Sequence, residues 1–158
     1  MSRFAVSSMA GMALVLFLGL SGPPSFAMGS DSGTSASDKY EDAVAAVKKK
    51  DYREAIRLLD DVLENDSGNA DALNYMGYSH RKLGNYERAL AFYKRALDAN
   101  PDHKGANEYI GEAYLELKQP TMAEMHLARL KKICGTGCEE YRELQTAIDA
   151  FRKGGKLP

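Results

Sequence analysis

Along the middle of the chain, apolar and small residues recur three and four positions apart, with charged residues between them. Over residues 70–84 these positions are Leu73, Met76, Gly77 and Leu83; over residues 85–101 they are Tyr86, Ala89, Leu90, Tyr93 and Leu97. Such spacing gives an α-helix one face to bury and one to leave in water. Gly84-Asn85 between the two stretches predicts a tight turn, and Asn100-Pro101 predicts the end of the second helix. The unit is therefore a helical hairpin.

The hairpin recurs with a period of 34 residues. One step carries Tyr52 onto Tyr86, Ala55 onto Ala89, Leu59 onto Tyr93, Val62 onto Ala96 and Leu63 onto Leu97. A second step carries these onto Pro120, Ala123, Leu127, Leu130 and Lys131. Three copies result, at about residues 36–69, 70–103 and 104–137. Repeats of this length cannot bury their apolar faces alone, so they stack. Gly77 and Ala89 are small enough for the two helices of a pair to approach closely, and Ala96 and Gly111 do the same towards the next copy. The stack needs an end with one polar face. Residues 138–153 fit: Tyr141, Leu144, Ile148 and Phe151 form a stripe, and Glu139, Glu140, Arg142, Glu143 and Arg152 lie largely outside it. The glutamates fall in the first turns, where the helix dipole favours negative charge. Residues 154–158 are expected to fray.

Leu73, Gly77, Ala89, Tyr93, Ala96 and Pro101 carry a resemblance. The chain is similar, at these positions, to the tetratricopeptide repeat (TPR) family, and "GNYERALAFYKRALDANP" matches the second half of its signature. The third copy keeps Ile110, Gly111, Tyr114, Ala123 and Leu127, with Gly135 where proline is expected. The first keeps "DYREAIRLLDDVLEND" but has Ala43 for the glycine. The resemblance implies an all-α fold: a short right-handed TPR solenoid of about three helix-turn-helix repeats over residues 39–153, closed by a C-terminal capping helix. It also implies a concave groove lined by the first helix of each pair. By register the groove-facing residues are Tyr40, Val44 and Val47 in the first copy, Asn74, Tyr78 and Arg81 in the second, and Glu108, Glu112 and Leu115 in the third. Tyrosine and arginine are typical of interaction hot spots. Some members of the family hold a peptide's C-terminal carboxylate with a Lys/Asn/Arg set. Tyr40, Val44, Tyr75, Gly105 and Tyr109 stand at those positions here, so a mixed aromatic and polar peptide groove is expected instead.

The ends and the charge place this domain. Arg3, an apolar run over residues 9–20, the breaker "SGPP" and the small-x-small "SFA" follow the order of a secretory signal peptide ending at Ala27. The apolar run is short for a bilayer, which takes about 20 residues. An uncleaved membrane anchor is the rival reading, and the membrane is a partner only in that case. Residues 28–38, rich in Gly, Ser and Asp, read as a flexible leader. Past residue 27 the chain holds 20 Lys+Arg against 22 Asp+Glu. So balanced a surface gives no reason to expect nucleic acid. The expected location is outside the cytoplasm, in a Gram-negative periplasm, in keeping with a loose resemblance to small exported proteobacterial TPR proteins with a Cys-x-x-x-Cys tail.

No nucleophile motif, phosphate loop or dinucleotide fingerprint occurs, and no catalytic residue or cofactor is assigned. His80, His103 and His126 lie more than 20 residues apart without ligand spacing. His126 shares a helix with Met122 and Met125, a set suited to Cu(I), but methionines at helical spacing are more often core fillers. Cys134 and Cys138 flank Gly-Thr-Gly. In an oxidising compartment the pair reads first as a disulfide that fixes the angle of the capping helix, with Gly135 suited to a left-handed helix end. The alternative is a working pair, in a redox partner or a copper carrier. A thiol of Cys138 at a helix N-terminus would be acidified, with Glu139 and Glu140 opposing that. Two functions are therefore expected in order: an adaptor binding a protein or peptide through the groove without catalysis, then a periplasmic thiol protein.

Overall fold

The computed structural model describes residues 36–154. The expected signal peptide, leader residues 28–35 and residues 155–158 lie outside them. The described residues form seven helices and no strand: α1 (Ala36–Lys48), α2 (Tyr52–Asn65), α3 (Ala70–Lys82), α4 (Tyr86–Ala99), α5 (Lys104–Glu116), α6 (Pro120–Cys134) and α7 (Glu139–Arg152). α1 opens at Ala36, so the last three residues expected in the leader are already helical. α1 packs on α2, α3 on α4 and α5 on α6; α2 also meets α3, and α4 meets α5, while α7 lies on both α5 and α6.

Every hairpin turns in the same way. The Lys50 N–H donates to the Val47 carbonyl and the Asp51 N–H to the Ala46 carbonyl, both at 2.9 Å. The same two bonds recur from Gly84 and Asn85, and from Lys118 and Gln119. They close the helix end on a residue in the left-handed region, with φ of 63° at Lys50, 79° at Gly84 and 58° at Lys118. Glycine takes this conformation freely; a residue with a Cβ does so at a cost of roughly 1–2 kcal/mol.

The core sits between the helix layers and is keyed by size. A Cβ placed on Gly77 would lie 2.6 Å from the ring of Tyr93, which is fully buried. At the same two positions of the first repeat stand Ala43 and Leu59, also fully buried. The smaller partner there leaves room for the methyl group. Gly111 meets the next layer instead: a Cβ there would be 2.7 Å from Leu144 of α7. Leu144, Ala147 and Ile148 are fully buried and continue the core of α5 and α6. Burying such side chains stabilises by about 1.5–3 kcal/mol each. α7 is thus docked on α5 and α6 by an apolar face.

The loops between hairpins are short. Asp66 and Asn100 open the first two, each accepting the backbone N–H two residues on, of Gly68 (3.2 Å) and Asp102 (3.1 Å). Asn69 then caps α3 by accepting the Ala72 N–H at 2.9 Å. His103 caps α5: its Nδ1 accepts the Ala106 N–H at 3.0 Å, so the ring is Nε2-protonated and donates to Asp71 at 3.0 Å.

Candidate functional site

The first helices of the hairpins and α7 share a concave surface. One compartment of ≈ 390 Å³ lies between α3, α5 and α7, against Tyr78, Arg81, Tyr109, Glu112, Arg142 and Thr146. A second, of ≈ 480 Å³, reaches from α1 across α3 and α5 to α7, against Tyr40, Asn74, Tyr75 and Tyr109 together with several carboxyl groups. Glu108, Tyr109 and Glu143 line both. Aromatic pairs pave the floor: Tyr40 and Tyr75 meet edge to face at 6.1 Å, and Tyr78 and Tyr109 lie tilted at 5.0 Å. Burial, with smaller help from Asp71 and Tyr75, pushes the Tyr40 phenol up to about 12. It stays neutral, a donor and an apolar platform at once.

Arg81 was expected to face the groove. The structure shows it held. Its guanidinium lies 2.5 Å from the Glu112 carboxylate, and the two side chains are 5 % and 11 % exposed. The guanidinium carbon also sits 5.5 Å and 5.7 Å from the ring centres of Tyr78 and Tyr109. A pair this deep gains little net stability over an apolar one, but losing either partner strands the other. Since α3 carries Arg81 and α5 carries Glu112, the pair ties two repeats together across the groove floor. Leu115, one period beyond Arg81, was expected in the groove and is a core residue instead. Val44 and Val47 are half-buried on α1.

Glu108 is 3 % exposed. Burial, then a hydrogen bond with Glu143 and the nearby charge of Glu112, push its carboxyl up to about 9. Glu108 is therefore protonated at neutral pH. Asn74 is 5 % exposed, and its amide oxygen has no partner.

Of the nine groove residues expected from sequence, Tyr40 and Asn74 line the larger compartment, Tyr78, Arg81 and Glu112 the smaller, and Glu108 both, while Val44, Val47 and Leu115 line neither. Tyr75 and Tyr109 were read only as replacements for a carboxylate-binding set, and they prove to be floor residues. Arg142, Glu143 and Thr146 were placed on a cap and not in the groove. The signal was present: 34 residues past Glu108, Tyr109 and Glu112 stand Arg142, Glu143 and Thr146. α7 stands in the register of the hairpins' first helices.

The two sulfurs are joined. Cys134 and Cys138 form a disulfide with their Cα atoms 5.9 Å apart, within the range such a bond requires. Gly135 takes φ 75° between them. A carboxylate oxygen of Glu140 lies within 4.8 Å of both sulfurs, but a closed disulfide offers no thiolate. His126 is a packing residue. It stacks on Tyr114 at 5.9 Å, and its Nδ1–H donates to Asn107 Oδ1 at 3.1 Å. Asn107 in turn donates to the Pro101 and His103 carbonyls, at 3.2 Å and 3.0 Å. Burial, helped by Arg129, holds the His126 imidazole down at about 4. His80 stacks on Phe92 at 5.3 Å.

Similarity to known proteins agrees with this architecture. Tetratricopeptide repeat protein 1 of Schizosaccharomyces pombe is 29 % identical over 85 residues, covering 52 % of this chain and 8 % of that protein. This chain thus spans only a small part of that relative. Among solved structures, the Yersinia enterocolitica type III secretion chaperone SycD in complex with a peptide of the translocator YopD matches with TM-score 0.64 and 16 % identity, over 75 % of this chain and 89 % of that one. The second TPR domain of human RPAP3, in complex with the HSP70 peptide SGPTIEEVD, matches with TM-score 0.65 and 18 % identity, over 72 % and 94 %. The tetratricopeptide repeat family profile matches residues 40–103 and 76–134. With three stacked hairpins, the 34-residue period and that profile over more than half its length, the chain belongs to the tetratricopeptide repeat family.

Proposed function

We propose that the protein is an exported adaptor or scaffold that holds a peptide or protein partner in the groove along α1, α3, α5 and α7, without catalysis. The observation that carries this reading is the groove itself: a floor of four tyrosines bordered by charged side chains, with compartments of ≈ 390 and ≈ 480 Å³. Solved structures of the same fold with peptides bound support it. Residues 1–27, with the order of a secretory signal, support export to a Gram-negative periplasm. The disulfide is the form expected there.

The test uses a photocrosslinking residue placed at Thr146 in the groove or at exposed Met125 on α6. A partner captured from Thr146 and not from Met125 fits the groove. Equal capture from both sites overturns it. Fractionation of the native cell, with the mature N-terminus expected at Met28, checks export. A redox or copper-carrying role would begin from the opened Cys134–Cys138 pair, whose sulfurs lie near Glu140. A pair that opened in glutathione buffer and then bound Cu(I) tightly would make the adaptor reading incomplete.

A further inference from the structure

The larger compartment has a marked charge. Five carboxyl-bearing residues line it, Asp71, Glu108, Glu139, Glu140 and Glu143, and none of its lining residues is lysine or arginine. Two of the five have basic partners: Asp71 meets His103 at 3.0 Å, and Glu140 meets Lys104 at 3.4 Å. Glu108, Glu139 and Glu143 are in no ion pair among the described residues. The walls include Tyr40, Tyr75 and Tyr109, whose ring faces attract cations. Independently of the acids, Asn74 lines the same space. It is nine-tenths buried, and its amide oxygen has no partner although every buried acceptor of this kind is normally satisfied. An acceptor without a donor, aromatic faces and carboxyl groups outside any ion pair all call for the same thing, a group that is cationic and carries several N–H bonds.

We propose that this compartment is the seat for the lysine or arginine side chain of a basic peptide segment, whose charged head lies between Glu108 and Glu143 with an N–H given to Asn74 Oδ1. The proposal rests on the reading of the groove as a peptide site and names the charge of what it takes. An acidic tail of the kind bound by the RPAP3 domain would meet like charge here. The smaller compartment, with Arg81 already neutralised by Glu112, sets no such demand and receives a neighbouring side chain of the same segment.

The protonation of Glu108 deepens this. Burial holds its carboxyl at about 9. The charged and titratable groups lining the two compartments with it are Glu112 and Tyr109 on its own helix, His103 just ahead of that helix, Glu139, Glu140, Glu143 and Arg142 on α7, Asp71, Tyr75, Tyr78, Arg81 and Lys82 on α3, and Tyr40 on α1. An arriving cation favours the ionised carboxylate, so binding expels the proton. Affinity for a basic peptide rises as pH is raised from 6 towards 9, because less proton remains to be displaced.

The test is selection of random dodecapeptides displayed on phage against the oxidised protein, followed by fluorescence anisotropy with the labelled winners. The expected result is enrichment of lysine or arginine at one position. Replacing that residue by norleucine, or Glu143 by Gln, weakens binding about tenfold or more, and affinity climbs with pH in wild type but not in Glu108→Gln. Thermal melts confirm that each variant folds; Glu143 is exposed, so Glu143→Gln remains decisive even if Glu108→Gln does not fold. Winners that are acidic or neutral, or basic winners indifferent to Glu143→Gln, overturn the cationic seat while leaving the groove in place. Winners indifferent to Tyr78→Ala/Tyr109→Ala overturn the groove reading itself.

Discussion

The second and third inter-repeat junctions do the same work with different chemistry. At the second, residues 100–103, Asn100 makes the turn with its side chain, His103 caps α5, and Asn107 ties the loop to His126 on α6. At the third, Cys134 stands 34 residues past Asn100, and Cys138 precedes α7 without a side-chain cap bond. A disulfide replaces the polar turn. Hydrogen bonds that depend on a neutral imidazole are open to acid and indifferent to thiols. A disulfide is the reverse. The two ends of the third hairpin are therefore guarded against different insults.

Four measurements can break or sharpen that difference, the largest effect first. If packing and not the disulfide dominates the third junction, Leu144→Ala should destabilise by about 2–5 kcal/mol, the range for a buried leucine, read from urea unfolding. Next, reducing the disulfide, or Cys134→Ser with Cys138→Ser, should cost about 2 kcal/mol, since the closed loop is very short. Hydrogen exchange should then rise in α7 and leave α3 unchanged. A loss larger than that of Leu144→Ala would reverse the order.

Acid should act on the second junction. His126 is depressed to about 4 in the fold against 6.5 unfolded. The unfolded chain thus binds the proton first, and the stability that the neutral ring contributes is complete above pH 6.5 and lost as pH falls towards 4. The loss should be on the order of 1–2 kcal/mol after solvent screening, and absent in His126→Gln. Glu108, raised instead, works the other way between 4.5 and about 9, so the variant has to be compared with wild type at each pH. A wild-type profile identical to that of His126→Gln would remove the imidazole from the account. The smallest effect belongs to the hairpin turns. Lys118→Gly and Lys50→Gly should each stabilise by about 0.5–1 kcal/mol, the relief of a left-handed Cβ less the entropy of glycine. Thermal melting checks this, and destabilisation would mean that the lysine side chains contribute more than their backbones lose.

Those two lysines also show where the sequence speaks and where it does not. The 34-residue period predicted the hairpins closely: Tyr52, Tyr86 and Pro120 each begin a second helix. It also put Lys50 and Lys118 in register with Gly84, although lysine by itself signals no left-handed bend. The Arg81–Glu112 pair was hidden for another reason. Both residues were read as groove-facing, but whether they reach water or each other depends on the rotation between hairpins, which no pattern within one hairpin fixes. The cap at His103 was missed because histidine is an unusual residue for the task, although Asn69 stands one period earlier. α7 was read from its polar face as a terminus, and that concealed Arg142, Glu143 and Thr146 in the groove.

The fit of Gly77 to Tyr93, and of Ala43 to Leu59, has a consequence for building with these units. Although the hairpins share a period, they are not interchangeable parts. Gly77→Ala puts a methyl group into a phenol ring, whereas the same methyl beside leucine is what the first hairpin already contains. A chimera that exchanged α1 and α3 while leaving α2 and α4 in place would set Ala43 against Tyr93 and leave an empty space between Gly77 and Leu59. Modules of this solenoid can be shuffled only as whole hairpins, lock together with key.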